Sequence, residues 1–248
     1  MTTAAYFIVF TLGLLFGSFS NVIIARMPMG ESIISPPSHC PHCHEQLRAV
    51  DLVPVLTYLF LRGRCRYCGN SISVRYPLVE ILSALLFLGV YLRWGLSITT
   101  VAGGIFSVIL LAAAFIDIEH GIIPDRLTYP GIIIGLVLSF ATRGFLPALY
   151  GALAFGGLML TIALISNGGM GGGDVKLAAV IGAFTGIKGA AFTLLTASLL
   201  GAIFGLGLMV VYKSGRKTRI KFGPFLALSA YGAYLFTDAV LLWYLGFG

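Results

Sequence analysis

Long apolar stretches recur along this chain and decide most of what it can become. A helix needs about 20 apolar residues to cross a hydrocarbon core of about 30 Å. The run from Ala4 to Ala25 has that length, with no charge before Arg26. Further runs lie at roughly 77–92, 97–117, 127–142, 146–166, 175–187, 189–212 and 223–246, so about eight transmembrane helices are expected. Runs of this length disfavour a barrel of alternating ~10-residue strands. The composition agrees: 58% of residues are hydrophobic and only 10% charged, against about 25% charged in a soluble domain. That disfavours a soluble domain and excludes disorder. The expected fold class is an all-α polytopic membrane protein. Its first run carries no Lys or Arg ahead of it, unlike a secretory signal, and is read as a retained helix.

Charge then sets orientation, because cytoplasmic loops collect Lys and Arg. With the N-terminus outside, one side carries Arg26, Arg48, Arg62, Arg64, Arg66, Arg75, Arg126, Lys176, Lys213, Arg216, Lys217, Arg219 and Lys221. The other carries Arg93, Arg143 and Lys188. The richer side is therefore read as cytoplasmic. The net charge of +7 is explained by this asymmetry, and no nucleic-acid partner is implied.

One segment breaks the pattern. From Met27 to about Arg75 the chain is polar, rich in Pro and home to all four cysteines. It divides the sequence into a first transmembrane helix (1–26), a cytoplasmic zinc-binding segment (27–76) and a seven-helix membrane domain (77–248). The cysteines form two pairs, Cys40-Pro-His-Cys43 and Cys65-Arg-Tyr-Cys68, with 21 residues between them. That lies just outside the spacing of about 15–20 usual for paired zinc knuckles. Each CxxC turn aims two thiolates at one ion, and two turns complete a tetrahedron. Cys40, Cys43, Cys65 and Cys68 are the expected ligands of one structural Zn2+, since a reducing cytoplasm argues against disulfides. Arg64 and Arg66 flank the second pair and are expected to offset the negative charge of four thiolates. His39, His42 and His44 crowd the first knuckle and are read as solvated or outside the ligand set. A closed shell of four thiolates leaves no open position for catalysis.

Only nine residues are acidic, and acids within membrane helices point to function. Asp117 ends the third apolar run, in Phe115-Ile116-Asp117-Ile118-Glu119-His120-Gly121-Ile122-Ile123-Pro124-Asp125. Asp174 follows Gly168-Gly169-Met170-Gly171-Gly172-Gly173 and begins the sixth. Both fall at cytoplasmic ends of apolar helices, where two carboxylates can meet in a shallow cleft. Such a pair does not readily ionise together, so one member keeps a proton. One then serves as base toward water, the other as acid toward a leaving amine. The competing reading is structural: acids at the interface that cap helices or pair with Arg126 or Lys176. The glycine cluster lacks the GK[ST] ending of a phosphate loop, and no GxGxxG fingerprint is present.

Six elements in order resemble a known family, the bacterial type IV prepilin peptidases among the membrane GxGD aspartic proteases. Gly17-Ser18-Phe19-Ser20-Asn21-Val22 with Arg26-Met27-Pro28 is similar to the family's N-terminal signature. The paired CxxC turns follow, then Arg75-Tyr76-Pro77-Leu78-Val79-Glu80. The segment from Asp117 to Asp125 resembles the first aspartate motif, and Gly171-Gly172-Gly173-Asp174-Val175-Lys176-Leu177 the second. Phe222-Gly223-Pro224-Phe225-Leu226-Ala227 resembles a late element. The resemblance implies that Asp117 and Asp174 are the catalytic pair, with Glu119 and Asp125 structural neighbours. The implied substrates are type IV prepilins or related pseudopilins, whose short basic leader is removed at the cytoplasmic face of the inner membrane. It also implies N-methylation of the new terminus, as in many members, with S-adenosylmethionine as methyl donor. No residue in the sequence can be assigned to that donor. Lys176 is read as reaching toward the headgroups, and Asp125 as a helix N-cap. Two rival readings are a small proton-coupled transporter and a zinc-knuckle membrane scaffold. The first predicts midplane charges and inverted repeats, which are absent from the sequence; the second leaves the glycine-aspartate loop unexplained.

Overall fold

The computed structural model describes residues 3–166, 170–212 and 221–244. The expected charges Lys213, Arg216, Lys217 and Arg219, the glycines Gly168 and Gly169, and the last residues of the 223–246 run lie outside the described residues. Among those described, every named element is helical: α1 (Thr3–Arg26), α2 (Leu56–Phe60), α3 (Arg75–Trp94), α4 (Ile98–His120), α5 (Asp125–Ser139), α6 (Phe145–Ile165), α7 (Gly172–Tyr212) and α8 (Gly223–Tyr244), with single 3-10 turns at Met27–Met29 and Ala49–Leu52. Among the described residues, five helices are long and apolar enough to cross a membrane: Thr3–Met29, Arg75–Trp94, Ile98–His120, Phe145–Ile165 and Gly172–Val210. The chain forms two compact units, Met1–Ala112 and Ala113–Gly248, with the boundary inside α4.

In the first unit α1 and α3 run antiparallel, Tyr6 against Tyr91 at one end and Asn21 beneath Tyr76 at the other. Small residues set how close they come. A Cβ on Gly13 would stand 2.5 Å from the Ala84 backbone, and one on Gly17 2.6 Å from that of Glu80. With no hydrophobic drive between helices in lipid, such close backbone packing is a main source of association. Glu80 is buried in α3 and accepts the Val55 N–H at 2.7 Å, which ties the cysteine segment to the helix. At the end of α1, Arg26 gathers the carbonyls of Ser32, Pro36 and Pro37.

The second unit is organised by α7. Gly186 interrupts it with φ +68 and ψ −175, a conformation close to glycine-only. The arm before Gly186 packs on α6 through Gly182 against Gly151 and Ala179 against Gly156. The arm after it brings Leu194 and Ser198 to Met159 and Ile162 of the same helix. The chain therefore reverses at Gly186, as the separate apolar runs 175–187 and 189–212 anticipate. Gly135 of α5 admits the Phe184 ring, and Phe204 meets Phe225 of α8 with ring centroids 5.4 Å apart. Arg143 donates to the Thr185 carbonyl at 3.3 Å near this reversal. Hydroxyls inside the apolar helices, such as Thr185, Thr193 and Thr237, donate to carbonyls of their own preceding turn, so these hydroxyls do not depend on water.

Candidate active site and cysteine centre

The two CxxC turns have the same construction. The Cys40 N–H bonds the Glu45 carbonyl at 3.0 Å, and the Cys65 N–H the Asn70 carbonyl at 2.8 Å. His44 and Gly69 follow the second cysteine of each pair, return an N–H to the first, and both adopt positive φ, +58 and +72. Glycine takes that conformation freely, and a histidine does so at a cost. The result is a cluster in which the sulfurs of Cys40, Cys43, Cys65 and Cys68 all lie within 4.8 Å of one another. Cys40 and Cys68 Sγ are 3.9 Å apart, close to the edge of about 3.8 Å that Zn–S bonds of about 2.3 Å give a tetrahedron. Burial opposes ionisation of Cys40, but the N–H groups of Cys43 and His42, with the neighbouring thiols of Cys65 and Cys43, outweigh it and bring the thiol down to about 6. Among the described residues the four sulfurs form the cluster without a histidine.

One of the flanking arginines has a partner that the spacing did not predict. The Arg66 Nε pairs with Asp51 at 2.6 Å. The Tyr67 hydroxyl donates to the same carboxylate at 2.9 Å and the Arg48 N–H at 3.1 Å. Burial pulls the Asp51 carboxyl upward, and these donors, Arg66 first, outweigh it and hold it below the ordinary value. Asp51 thus fastens the second knuckle to the 3-10 turn Ala49–Leu52.

The carboxylate site lies wholly in the second unit. Asp117 occupies the last turn of α4 and is 6% exposed, whereas Glu119 beside it is exposed. Asp174 stands in the first turn of α7, its N–H bonded to the Gly171 carbonyl at 3.1 Å. The two carboxylates are near enough to interact electrostatically. Two contacts bring their helix ends together. Gly173 lies against Ile123, where a Cβ would stand 2.8 Å from the Ile123 Cβ and 3.1 Å from its N. Lys176 pairs with Asp125 at 2.5 Å and lies over the Tyr129 ring. Lys176 thus has Asp125 as its partner. Asp125 is the first residue of α5 rather than its N-cap, a place taken by Pro124.

A third segment completes the site, and its part in it was not evident from sequence. The Gly223 N–H donates to Asp117 Oδ2 at 3.1 Å, and a Cβ at Gly223 would stand 2.7 Å from that oxygen. Lys221 donates to the Ile118 carbonyl at 2.6 Å. The sequence marks Gly223 only within a late glycine-proline element and Lys221 only as a topology charge; neither pattern says which residue it meets. Next to this segment is an apolar hollow of about 380 Å³, lined by Met159, Ile162, Met170, Leu194, Ser198 and Phe222 among others.

These features define the class: an all-helical membrane protein with a four-thiol centre and a pair of carboxylates on neighbouring helix ends. The chain belongs to the type IV leader peptidase family, which it matches over residues 104–206, and residues 11–94 match the bacterial peptidase A24 N-terminal domain. Among curated relatives, a prepilin leader peptidase/N-methyltransferase of Aeromonas hydrophila is 36% identical, the alignment covering 96% of this chain and 93% of that protein. One of the same name from Bacillus subtilis (strain 168) is 35% identical, covering 96% and 97%. Another, from Myxococcus xanthus (strain DK1622), is 40% identical, covering 84% and 65%. No solved structure matches significantly.

Proposed function

We propose that this chain is an aspartic endopeptidase of the bacterial inner membrane that removes the basic leader from type IV prepilins or pseudopilins at the cytoplasmic face. The observation that carries this reading is the placement of Asp117 and Asp174 on adjacent helix ends, with Asp117 held by Gly223. Of the pair, the ionised carboxylate takes a proton from water as its oxygen attacks the scissile carbonyl carbon. The protonated partner gives its proton to the departing amine as the C–N bond breaks, leaving a new carboxyl and a new N-terminus. The apolar hollow beside Phe222 suits a substrate whose cleavage site borders an apolar helix.

Eight spans accommodate the helices if the arms of α7 count separately and α5 and α8 also cross. The N-terminus is then outside, and the cysteine segment 27–76 and both aspartates face the cytoplasm. The division into a first helix, a zinc-binding segment and a seven-helix membrane domain is kept on this reading. Cys40, Cys43, Cys65 and Cys68 would hold a structural Zn2+, which the donor set and its spacing fit. The names of the relatives support a second activity, N-methylation of the new terminus from S-adenosylmethionine, and no described residue is assigned to that donor. The deciding experiment is co-expression with a prepilin, comparing wild type with Asp174→Asn. Near-normal cleavage by that variant would overturn the assignment.

A further inference from the structure

Lys221 has a specific partner in this fold. Its Nζ reaches the Ile118 carbonyl at 2.6 Å, a contact between segments 103 residues apart. Two residues on, the Gly223 N–H reaches the Asp117 carboxylate. One short stretch therefore grips the last turn of α4 twice, at the carboxylate and at the next residue's carbonyl.

We propose that Lys221 is a positioning residue for Asp117, fixing the helix end that carries it; this rests on the reading of Asp117 as catalytic. Helix α4 ends at His120, and Gly121 turns the chain away with φ +68. The Gly121 N–H satisfies the Asp117 carbonyl at 2.8 Å. The Ile118 carbonyl belongs to the last four of the helix, which have no helical donor. A lysine ammonium there supplies the hydrogen bond and offsets the partial negative charge of the helix C-terminus. That offset matters at this end because Asp117 and Glu119 add two acids to it. The lysine stem lies along Gly121, its Cε 3.8 Å from where a Cβ would be, so the contact spans the turn rather than grazing it. Lys176 is committed to Asp125. Without the Lys221 contact the Ile118 carbonyl loses this donor, and the last turn of α4 is held by the Gly121 and Gly223 N–H groups with one anchor fewer. A carboxylate that moves with it loses the alignment two-carboxylate chemistry needs.

The test uses the full-length protein in membranes with a prepilin substrate, comparing wild type, Lys221→Met, Lys221→Gln, Lys221→Arg and Asp117→Asn. Lys221→Met is expected to lower kcat about ten- to a hundredfold with KM within about twofold. Lys221→Arg, which keeps a charged donor, should recover most of the loss. Insertion and zinc content should stay at wild-type levels. If Lys221→Met fails to insert, Lys221→Gln, a shorter neutral donor, carries the same expectation at smaller size. Wild-type kcat in the Met or Gln variant, a defect confined to KM, or an Arg variant as poor as Met would each overturn the proposal. Asp117→Asn separates the two readings. Cleavage by that variant removes the catalytic assignment itself, whereas a dead Asp117→Asn beside a normal Lys221→Met removes only the role of Lys221.

Discussion

The four thiols come from two turns that each close on themselves by short-range hydrogen bonds. The two carboxylates come from the ends of different helices, whose approach rests on Gly173 against Ile123 and on the Lys176–Asp125 pair, while Gly223 lies on Asp117. One centre is a property of local chain geometry that a metal can complete. The other is a property of helix packing. The difference implies that damage should not spread equally: the carboxylate site should fail with the cysteine centre intact more readily than it fails because that centre is lost.

The largest expected effect is at the carboxylates. Asp117→Asn and Asp174→Asn should each abolish prepilin cleavage while leaving about one zinc per chain, as one four-thiolate site predicts. Asn keeps the shape but cannot carry the catalytic proton, so the double variant should be about as inactive as either single one. Metal analysis and a cleavage gel on the same preparation check both halves.

Next come the glycines. Gly223→Ala places a methyl 2.7 Å from Asp117 Oδ2, and Gly173→Ala places one 2.8 Å from the Ile123 Cβ. Each should lower cleavage at least about tenfold, since displacement of a reacting group by about 1 Å can cost up to about a hundredfold. Gly172→Ala meets nothing within 4 Å and should stay near wild type. Equal sensitivity of all three would show that packing is not what the motif glycines provide.

A middle-sized effect belongs to the metal. Cys40→Ser or Cys65→Ser should release zinc and loosen the segment, because metal binding supplies folding energy to a piece this small. Methyl transfer should then fall further than peptide cleavage. The reverse order, measured with labelled methyl donor and a cleavage assay, would break the separation between the two regions.

Acid should sharpen the comparison within the cysteine segment. Asp51 is held below its ordinary value, so its tie to Arg66 contributes fully above the unfolded carboxylate value of about 3.9. That contribution is lost only as the pH falls through the lower folded value. Zinc release from the wild type on mild acidification should therefore reflect thiolate protonation alone, and Asp51→Asn, which lowers the segment's stability at neutral pH, should move the onset of release to higher pH. A metal-release titration of both proteins checks this. The smallest effect is at His44: its φ of +58 suggests that His44→Gly would stabilise the zinc-loaded segment by about 0.5–1 kcal/mol.

The sequence made the thiol centre legible because ligand identity and spacing are contiguous in the chain. It showed the carboxylates as misplaced charges on apolar helices, and family resemblance paired them. It could not show that Gly223 N–H is the donor to Asp117, because that contact follows from how α7 and α8 return to the end of α4. Nor could it show that Arg66 turns to Asp51, since local order sets a charge beside the thiols without fixing its direction. The role of Gly173, unlike that of Gly172, becomes visible only when the Ile123 backbone is placed.

The reversal at Gly186 also sets a depth. The arm from Gly172 to Thr185 has fourteen residues and at about 1.5 Å per residue reaches about 21 Å, short of a hydrocarbon core of about 30 Å. If both arms span, with the Gly186 turn at the outer boundary, Asp174 cannot reach the opposite one in a bilayer of ordinary thickness. Either the lipid dimples inward to meet it or the chemistry proceeds below the headgroups, and both carry a cost of fractions of a kcal/mol per Å of mismatch. Acyl-chain length thereby becomes a control on turnover: vesicles of thin lipids should favour the enzyme, and thick, ordered ones should slow it with no change in sequence.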